Sequence, residues 1–475
     1  MRKSLWFKVF STVMGLTMLA SFSSFFLADY ISYIIENDRN NAVELSIAKQ
    51  LELPAYYHYQ RRHQEYASLP WLAATTILAK HEERYSIELA QYYTSIQRLE
   101  KSEYWYLKAV QQQSEHARLV LAQRYFAEKK YQAVQNLLSK KFSPSEPELA
   151  KQAQSLLMEI ALIEGDFAKI QKAFQHLKKL APAHPFLEEV IKYQAITDQL
   201  SFIDPIASAP DCLADIQMFA TNLADLRKVD QLIKQIQTHA LAEYVCFAPV
   251  RYIALKALNC KHHGNETIQC DEGTWRKYQA SIKSRFLGIL IPQGGANVNN
   301  GIMYLDRQDT VEVFAHELAH FIGFIDEYPL PSNHTKCLTV QSKPFSQNIA
   351  VLPALYQGDK QQIRAKILKN LPWKSLIKTT TPILTSSTEG WKLGTPQSHQ
   401  ADVGVFLSET CEGKRKLRDA LHQPFNAYKP LKKHNQLSYF SLAFPESYRK
   451  LITINAEKYL MPSFHINIEN ALRND

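Results

Sequence analysis

Two histidines four residues apart, with a glutamate directly after the first, stand out in this chain of 475 residues: His316-Glu317-Leu318-Ala319-His320. On a helix, positions four apart share a face, so both imidazoles can reach one tetrahedral zinc. Glu317 lies one residue round, where its carboxylate can hold and deprotonate a water at the metal without being a ligand. Gly323 falls where a left-handed residue ends a helix, and the reversed chain can return Asp326 to the metal as a third ligand. With 16 His in the chain, a chance match to the five-residue motif has odds on the order of a few per cent, and requiring the later Gly and acid lowers them to under about one per cent. Metal-assisted hydrolysis is therefore the chemistry to carry forward.

The elements that must position these residues are legible around them. Asp309 or Thr310 can cap the helix, with Glu312 as the reciprocal partner of a capping box. Val311, Phe314, Ala315, Leu318, Ala319 and Ile322 follow helical spacing and predict a face packed on a sheet, with Glu312, His316 and His320 opposite. Ahead of the helix the pattern is mixed α/β from about residue 211. A helix is expected near Thr221 to His239, an extended run over Val250 to Leu258, and strands over Phe286 to Pro292 and Gly301 to Leu305, with a turn at Gly294 to Asn297. The strand just before the helix is expected to be the cleft edge, where an extended peptide substrate can pair through its backbone.

The whole chain is of ordinary globular composition, 46% hydrophobic and 21% charged. Its net charge of +9 is modest for its length. The clusters Lys414-Arg415-Lys416 and Lys429 to Lys433 lack the interleaved aromatics of a nucleic-acid platform and read as a solvated basic face, so no nucleic-acid partner is expected. Arg2, Lys3 and Lys8 precede an uncharged apolar run from Val9 to Ala28, about one membrane thickness of helix. The charge asymmetry predicts a single-pass anchor with the rest of the chain outside the cytoplasm, periplasmic in a Gram-negative cell; a cleaved signal segment and secretion are the competing reading. The first 211 residues have no cysteine and all six lie beyond them, at 212, 246, 260, 270, 337 and 411, which suits disulfides in an oxidising compartment. Cys260 with Cys270 is the most local of fifteen formal connectivities.

Residues 45 to 200 nearly lack glycine and read as consecutive amphipathic helices. Leu89-Ala90-Gln91-Tyr92-Tyr93 recurs as Leu121-Ala122-Gln123-Arg124-Tyr125, with a weaker echo at Leu157 to Ala161. This half resembles the tetratricopeptide and Sel1-like helical repeats, whose period is close to the interval seen here. That resemblance implies a concave surface able to recruit a protein partner. An ordinary helical spacer is the alternative. Ala181 to Pro185 interrupts the helices, and Asp204 to Pro210 marks the expected boundary.

Gly294-Gly295, the following strand, the His316 to His320 motif and Asp326-Glu327-Tyr328 together resemble the IgA-peptidase family of metallopeptidases within the metzincin group. Leu371-Pro372-Trp373-Lys374, Thr381-Pro382 and Val403-Gly404-Val405-Phe406 resemble later segments of that family, in order. The resemblance spans roughly residues 245 to 410. It implies a zinc endopeptidase with a twisted sheet over an active-site helix. It also favours Asp326 as third ligand over Glu327 or the distant His399, because the group places its third ligand at that offset, usually as histidine. Glu327 is then expected to support the ligands from behind, and Tyr328 to pack or orient. The group's methionine turn has a single downstream candidate, Met461.

Three regions are expected: residues 1–40, a transmembrane anchor or signal segment; 41–210, an all-α helical-repeat domain; and 211–475, an α/β zincin domain of metzincin type. The expected activity is zinc-dependent cleavage of peptide bonds in envelope or extracellular proteins, with Zn2+ on His316, His320 and Asp326 and Glu317 as the catalytic base. The same residues admit two alternatives, a noncatalytic envelope scaffold and a zinc hydrolase of cell-wall peptides. Retention of Glu317 argues against the scaffold, since zinc binding alone does not require that carboxylate.

Overall fold

The recurrence of Leu89-Ala90 at Leu121-Ala122 is the imprint of a structural repeat, and all four side chains are fully buried. In a computed structural model, which describes residues 26–196, 212–260, 270–331, 334–412 and 424–466, the first half is a run of helices. These are α1 (residues 26–36), α2 (Ala42–Gln50), α3 (Pro54–His63), α4 (Leu69–Leu78), α5 (Glu83–Ser95), α6 (Leu99–Gln111), α7 (Glu115–Ala127), α8 (Tyr131–Leu138) and α9 (Pro147–Glu164). From α3 to α8 each packs on its neighbour in sequence. The pair α5–α6 recurs as α7–α8 with the helix starts displaced by 32 residues, from 83 to 115 and from 99 to 131. The corner recurs too. Arg98 N–H donates to Tyr93 O at 2.8 Å and Lys130 N–H to Tyr125 O at 2.9 Å, each across a left-handed residue, Gln97 (φ 57°) and Lys129 (φ 59°).

The chain divides into two compact units, Met1–Leu157 and Met158–Asp475. The boundary expected at 210 falls inside the second unit, because the end of α9 together with α10 (Phe167–Leu180) and α11 (Pro185–Lys192) shares a core with the sheet. Tyr252 Oη, for example, donates to Leu162 O at 2.7 Å. The apolar run that suggested an anchor lies almost wholly in residues outside those described, as do Asp204 to Pro210 and Lys414 to Lys416. Among the described residues no helix is long and apolar enough to cross a membrane.

The second unit is mixed α/β. Strands β1 (Ala214–Ala220), β2 (Val245–Tyr252), β3 (Phe286–Leu290), β4 (Asn297–Asn299) and β5 (Ile302–Leu305) form one sheet in the order β2-β1-β3-β5-β4. All pairs are parallel except β4 with β5. Alternation sends Ile216, Met218, Phe286, Met303 and Leu305 to a core shared with α12 (Leu223–Ile236) and α15 (Val311–Phe321). Phe219, Leu287, Ile289, Ile302 and Tyr304 face a second core beside α13 (Leu255–Leu258) and α14 (Trp275–Tyr278). Gly288 stands in register between Met218 and Met303, where a Cβ would fall 2.2 Å from Met218 Sδ. The glycine leaves room for both thioethers.

Two expectations about this sheet fail. The run from Val250 does not stay extended to Leu258, because the chain turns into α13 after β2. The strand preceding the helix, β5, lies inside the sheet, and the edge is the antiparallel β4.

Beyond α15 come β6 (Ala350–Pro353), β7 (Leu355–Tyr356), α16 (Lys360–Lys369), β8 (Leu384–Ser387), β9 (Gly390–Leu393), β10 (Phe406–Leu407), β11 (Phe425–Lys429) and α17 (Glu446–Asn455). They build two small antiparallel sheets, β10-β11-β6 and β7-β9-β8. Segments set apart in the sequence meet here: Trp373 Nε1–H donates to Gly404 O at 2.7 Å, and Thr381 Oγ1 to Asp402 at 3.1 Å. All six cysteines pair, as Cys212–Cys246, Cys260–Cys270 and Cys337–Cys411.

Candidate metal centre

Helix α15 carries Phe314, Ala315, Leu318, Ala319 and Ile322 into the core without exposure, as their spacing requires, while Val311 is only partly covered. Its start departs from the expected capping box. Thr310 is the N-cap but its side chain caps nothing. Asp309 turns away to accept the Asp306 N–H at 2.6 Å, and the Thr310 hydroxyl nearby holds the exposed Glu312 carboxyl below its ordinary range. The helix ends at Gly323, with φ +91°. Any Cβ there would lie 2.1 Å from Tyr459 O. Gly323 N–H donates to His320 O and Phe324 N–H to Ala319 O, turning the chain back sharply.

The reversal brings Asp326 to both imidazoles. Its Oδ1 lies 2.9 Å from His316 Nε2 and 3.3 Å from His320 Nε2. The two rings stand perpendicular, 5.0 Å apart. Each ring's other nitrogen is committed, His316 Nδ1 to Gln436 O at 2.8 Å and His320 Nδ1 to Phe324 O at 3.1 Å. A carbonyl oxygen only accepts, so each Nδ1 donates its proton there, which leaves Nε2 as the ring atom on the Asp326 side that a metal would take in place of a proton. Three electron-pair donors thus converge at spacings near the ~3.3 Å edge of a tetrahedron with bonds of about 2.0–2.1 Å. The donor chemistry fits zinc.

Glu317 sits beside this trio, its Oε2 3.9 Å from His320 Nε2. A grouping by ligand atoms within 4.8 Å joins Glu317 to the two histidines. The shorter contacts make Asp326 the better third donor and leave Glu317 beside the trio. His399 is engaged elsewhere, with Nδ1 on Asp402 at 2.9 Å. Burial opposes protonation of His320, but the Asp326 carboxylate outweighs it and pushes the imidazole up to about 9. Burial likewise opposes ionisation of Asp326, yet His320 and His316 hold its carboxyl well below the usual range. Glu317 shows the reverse balance, since burial raises it more than the imidazoles lower it. A field that draws a proton to His320 also draws a cation.

Behind His316, His320 and Asp326 lies a second, drier layer. Glu327 Oε2 accepts Lys429 Nζ at 2.9 Å, Asn435 Nδ2 at 2.9 Å and Ser438 Oγ at 3.1 Å. Its Oε1 takes Asn348 Nδ2 at 3.2 Å and the Tyr448 hydroxyl. Glu327 therefore ties β11, α17, the Asn435 to Ser438 stretch and the turn after α15 together. The reading of Lys429 as part of a solvated face is corrected, for it is 4% exposed and paired with Glu327. Thr410 Oγ1 donates to Asp326 O at 2.8 Å and Leu330 N–H to Thr410 O at 2.8 Å, beside the Cys337–Cys411 bridge.

Tyr328 lies over His316 with nearly parallel rings, centroids 6.1 Å apart, and burial, reinforced by the Asp326 carboxylate, pushes its hydroxyl above the ordinary tyrosine range. Met461 donates its N–H to Phe321 O, and its sulfur accepts the Gly301 N–H at 3.4 Å. The backbone that meets the His316 ring is Gln436. Reading the sequence missed Gln436, Asn435, Lys429 and Tyr448, which lie more than a hundred residues from their partners in the centre and carry no local motif. Neither models of known protein families nor curated proteins match this chain.

Proposed function

We propose that this protein is a zinc-dependent endopeptidase of metzincin type, resembling the IgA-peptidase family and acting on peptide or protein substrates outside the cytoplasm. The observation that carries the reading is the convergence of His316 Nε2, His320 Nε2 and Asp326 Oδ1 with both Nδ1 atoms already committed, beside the uncoordinated carboxylate of Glu317. His316, His320 and Asp326 would hold the metal. When bound, zinc supplies Lewis acidity for water attack on a peptide carbonyl. Glu317 accepts the proton of the attacking water and hands it to the leaving amine. Tyr328, 41% exposed, offers a hydroxyl at the rim of the site. Among the described residues the edge strand β4 pairs only with β5, and an extended peptide can add on its other side as a further strand. The helical half would recruit a protein partner and the amino-terminal segment would anchor the chain in a membrane.

The test is metal analysis and peptide-library cleavage with the full chain. Glu317→Gln keeps shape and hydrogen-bonding reach, so zinc content should persist while turnover falls by about 100- to 10,000-fold. Asp326→Ala should lose most of its zinc. Unchanged turnover in Glu317→Gln defeats the mechanism, equal zinc in Asp326→Ala defeats the ligand assignment, and a zinc-loaded wild type that cleaves nothing favours the scaffold.

A further inference from the structure

Gln436 touches His316 across 120 residues of sequence, and the position of its carbonyl is set by its own side chain. His239, just past α12, accepts the Leu241 N–H on Nδ1 at 3.2 Å. A backbone N–H only donates, so the neutral ring carries its proton on Nε2. That proton goes to Gln436 Oε1 at 3.0 Å. Burial favours the neutral ring by lowering its pKa, against the Gln436 hydrogen bond and Glu312. The amide orientation follows, and Gln436 Nε2 donates to the Glu312 carbonyl on α15 at 3.2 Å. On either side of Gln436, Glu327 accepts Asn435 Nδ2 and donates its own N–H to Leu437 O at 2.8 Å. From Leu241 to His316, every donor and acceptor in this relay has one polarity.

We propose that Gln436 is a positioning residue of the metal centre, held in place by His239, and that the pair fixes the ring plane and the Nδ1–H form of His316. The proposal rests on the zinc reading above. Its reach is long: the end of α12, the Asn435 to Ser438 stretch and the first turn of α15 act as one clamp, and a His316 ring whose Nε2 is aimed at Asp326 is the product. Partners behind a ligating histidine typically change metal affinity about 10- to 100-fold when removed. A merely structural pair would change the stability of the metal-free protein and leave the affinity of the folded form alone.

Full-length wild type, His239→Leu, Gln436→Leu, the double variant and His239→Gln are titrated with Zn2+ against a chelator of known affinity. Thermal unfolding of each metal-free form and the visible band of each Co2+ form are recorded alongside. Both leucine variants should lose about 10- to 100-fold in zinc affinity with an altered cobalt band. The double variant should lose no more than the worse single, because both break one relay. His239→Gln, which can offer an amide N–H to Oε1, should recover most of the loss. His239 is only half-buried, so its variants carry the test even if Gln436→Leu does not fold. Wild-type affinity in the His239→Leu protein, or additive losses in the double variant, overturn the proposal. A wild type that binds no zinc overturns the metal reading along with it, an outcome distinct from variants that bind as well as wild type.

Discussion

Replacing Glu327 by Gln isolates the electrostatic part of the buried node, because the two side chains are nearly isosteric and no cavity is opened. Three donors face Oε2: Lys429 Nζ, Asn435 Nδ2 and Ser438 Oγ. An amide nitrogen placed there meets all three. Ser438 can turn its hydroxyl and accept, but Asn435 cannot reverse its amide without giving up the Leu437 N–H it accepts at 2.9 Å. Rotating the new amide puts its oxygen back toward Lys429 and its nitrogen toward the Tyr448 hydroxyl, which can accept, and toward the Asn348 amide, which is lost. In either orientation the Lys429 ammonium, 5% exposed at its side chain, loses the one carboxylate it pairs with among the described residues.

Breaking one side of a buried pair costs about 3–5 kcal/mol. That is a large share of a typical total stability of about 5–15 kcal/mol. For a unit the size of Met158–Asp475 the expected fall in Tm is roughly 4–8 °C. It is to be read by calorimetry on metal-free protein, since bound metal would add stability by mass action. The double variant Glu327→Gln/Lys429→Met removes the orphaned charge and should return to within about 2 kcal/mol of wild type. A single variant within about 1 kcal/mol of wild type, or a double variant less stable than the single, refutes the argument.

Three further expectations follow from the same geometry. Gly323→Ala forces a Cβ into a left-handed backbone 2.1 Å from Tyr459 O and should cost about 2–4 kcal/mol in urea unfolding; an unmoved midpoint contradicts the helix end described here. Replacing both Cys337 and Cys411 by Ser opens a loop of 74 residues, worth about 4 kcal/mol in the chain-entropy account. The same change should weaken zinc binding, because Thr410 next to Cys411 holds the Asp326 carbonyl. Asp402 is held at about 2 by hydrogen bonds from His399, Lys378 and Thr381. A depressed folded-state pKa contributes stability above the ordinary carboxyl value of 3.8, and that contribution vanishes as the pH falls through about 2. Asp402→Asn should therefore be less stable than wild type at pH 6, with the gap closing under acid.

The centre was legible where its information is local. His316, His320, Gly323 and Asp326 lie within eleven residues, and a helix followed by one reversed turn suffices to join them. The supporting layer was not legible, because Gln436, Lys429 and His239 reach the centre only through the tertiary fold. A lysine in a basic run gives no sign that it will be buried against Glu327. The helices of the first half were visible from their apolar spacing, while their ends were obscure: left-handed corners such as Gln97, Gln113 and Lys129 replace the glycines that mark such ends. The edge strand β4 escaped notice because a three-residue strand beside two glycines looks like a turn.

The corner shared by Gln97 and Lys129 bears on how this chain can vary. Since α5–α6 and α7–α8 start with the same spacing and share the same closing hydrogen bond, excising or duplicating 32 residues there keeps the helix starts and that corner in step. Length in this half can then change only in whole steps, each adding or removing two helix widths of about 8–10 Å apiece. An insertion of any other size shifts the apolar stripe off its neighbour. The repeat works as a ruler with fixed graduations, and relatives of this protein should differ in this region by multiples of about 32 residues.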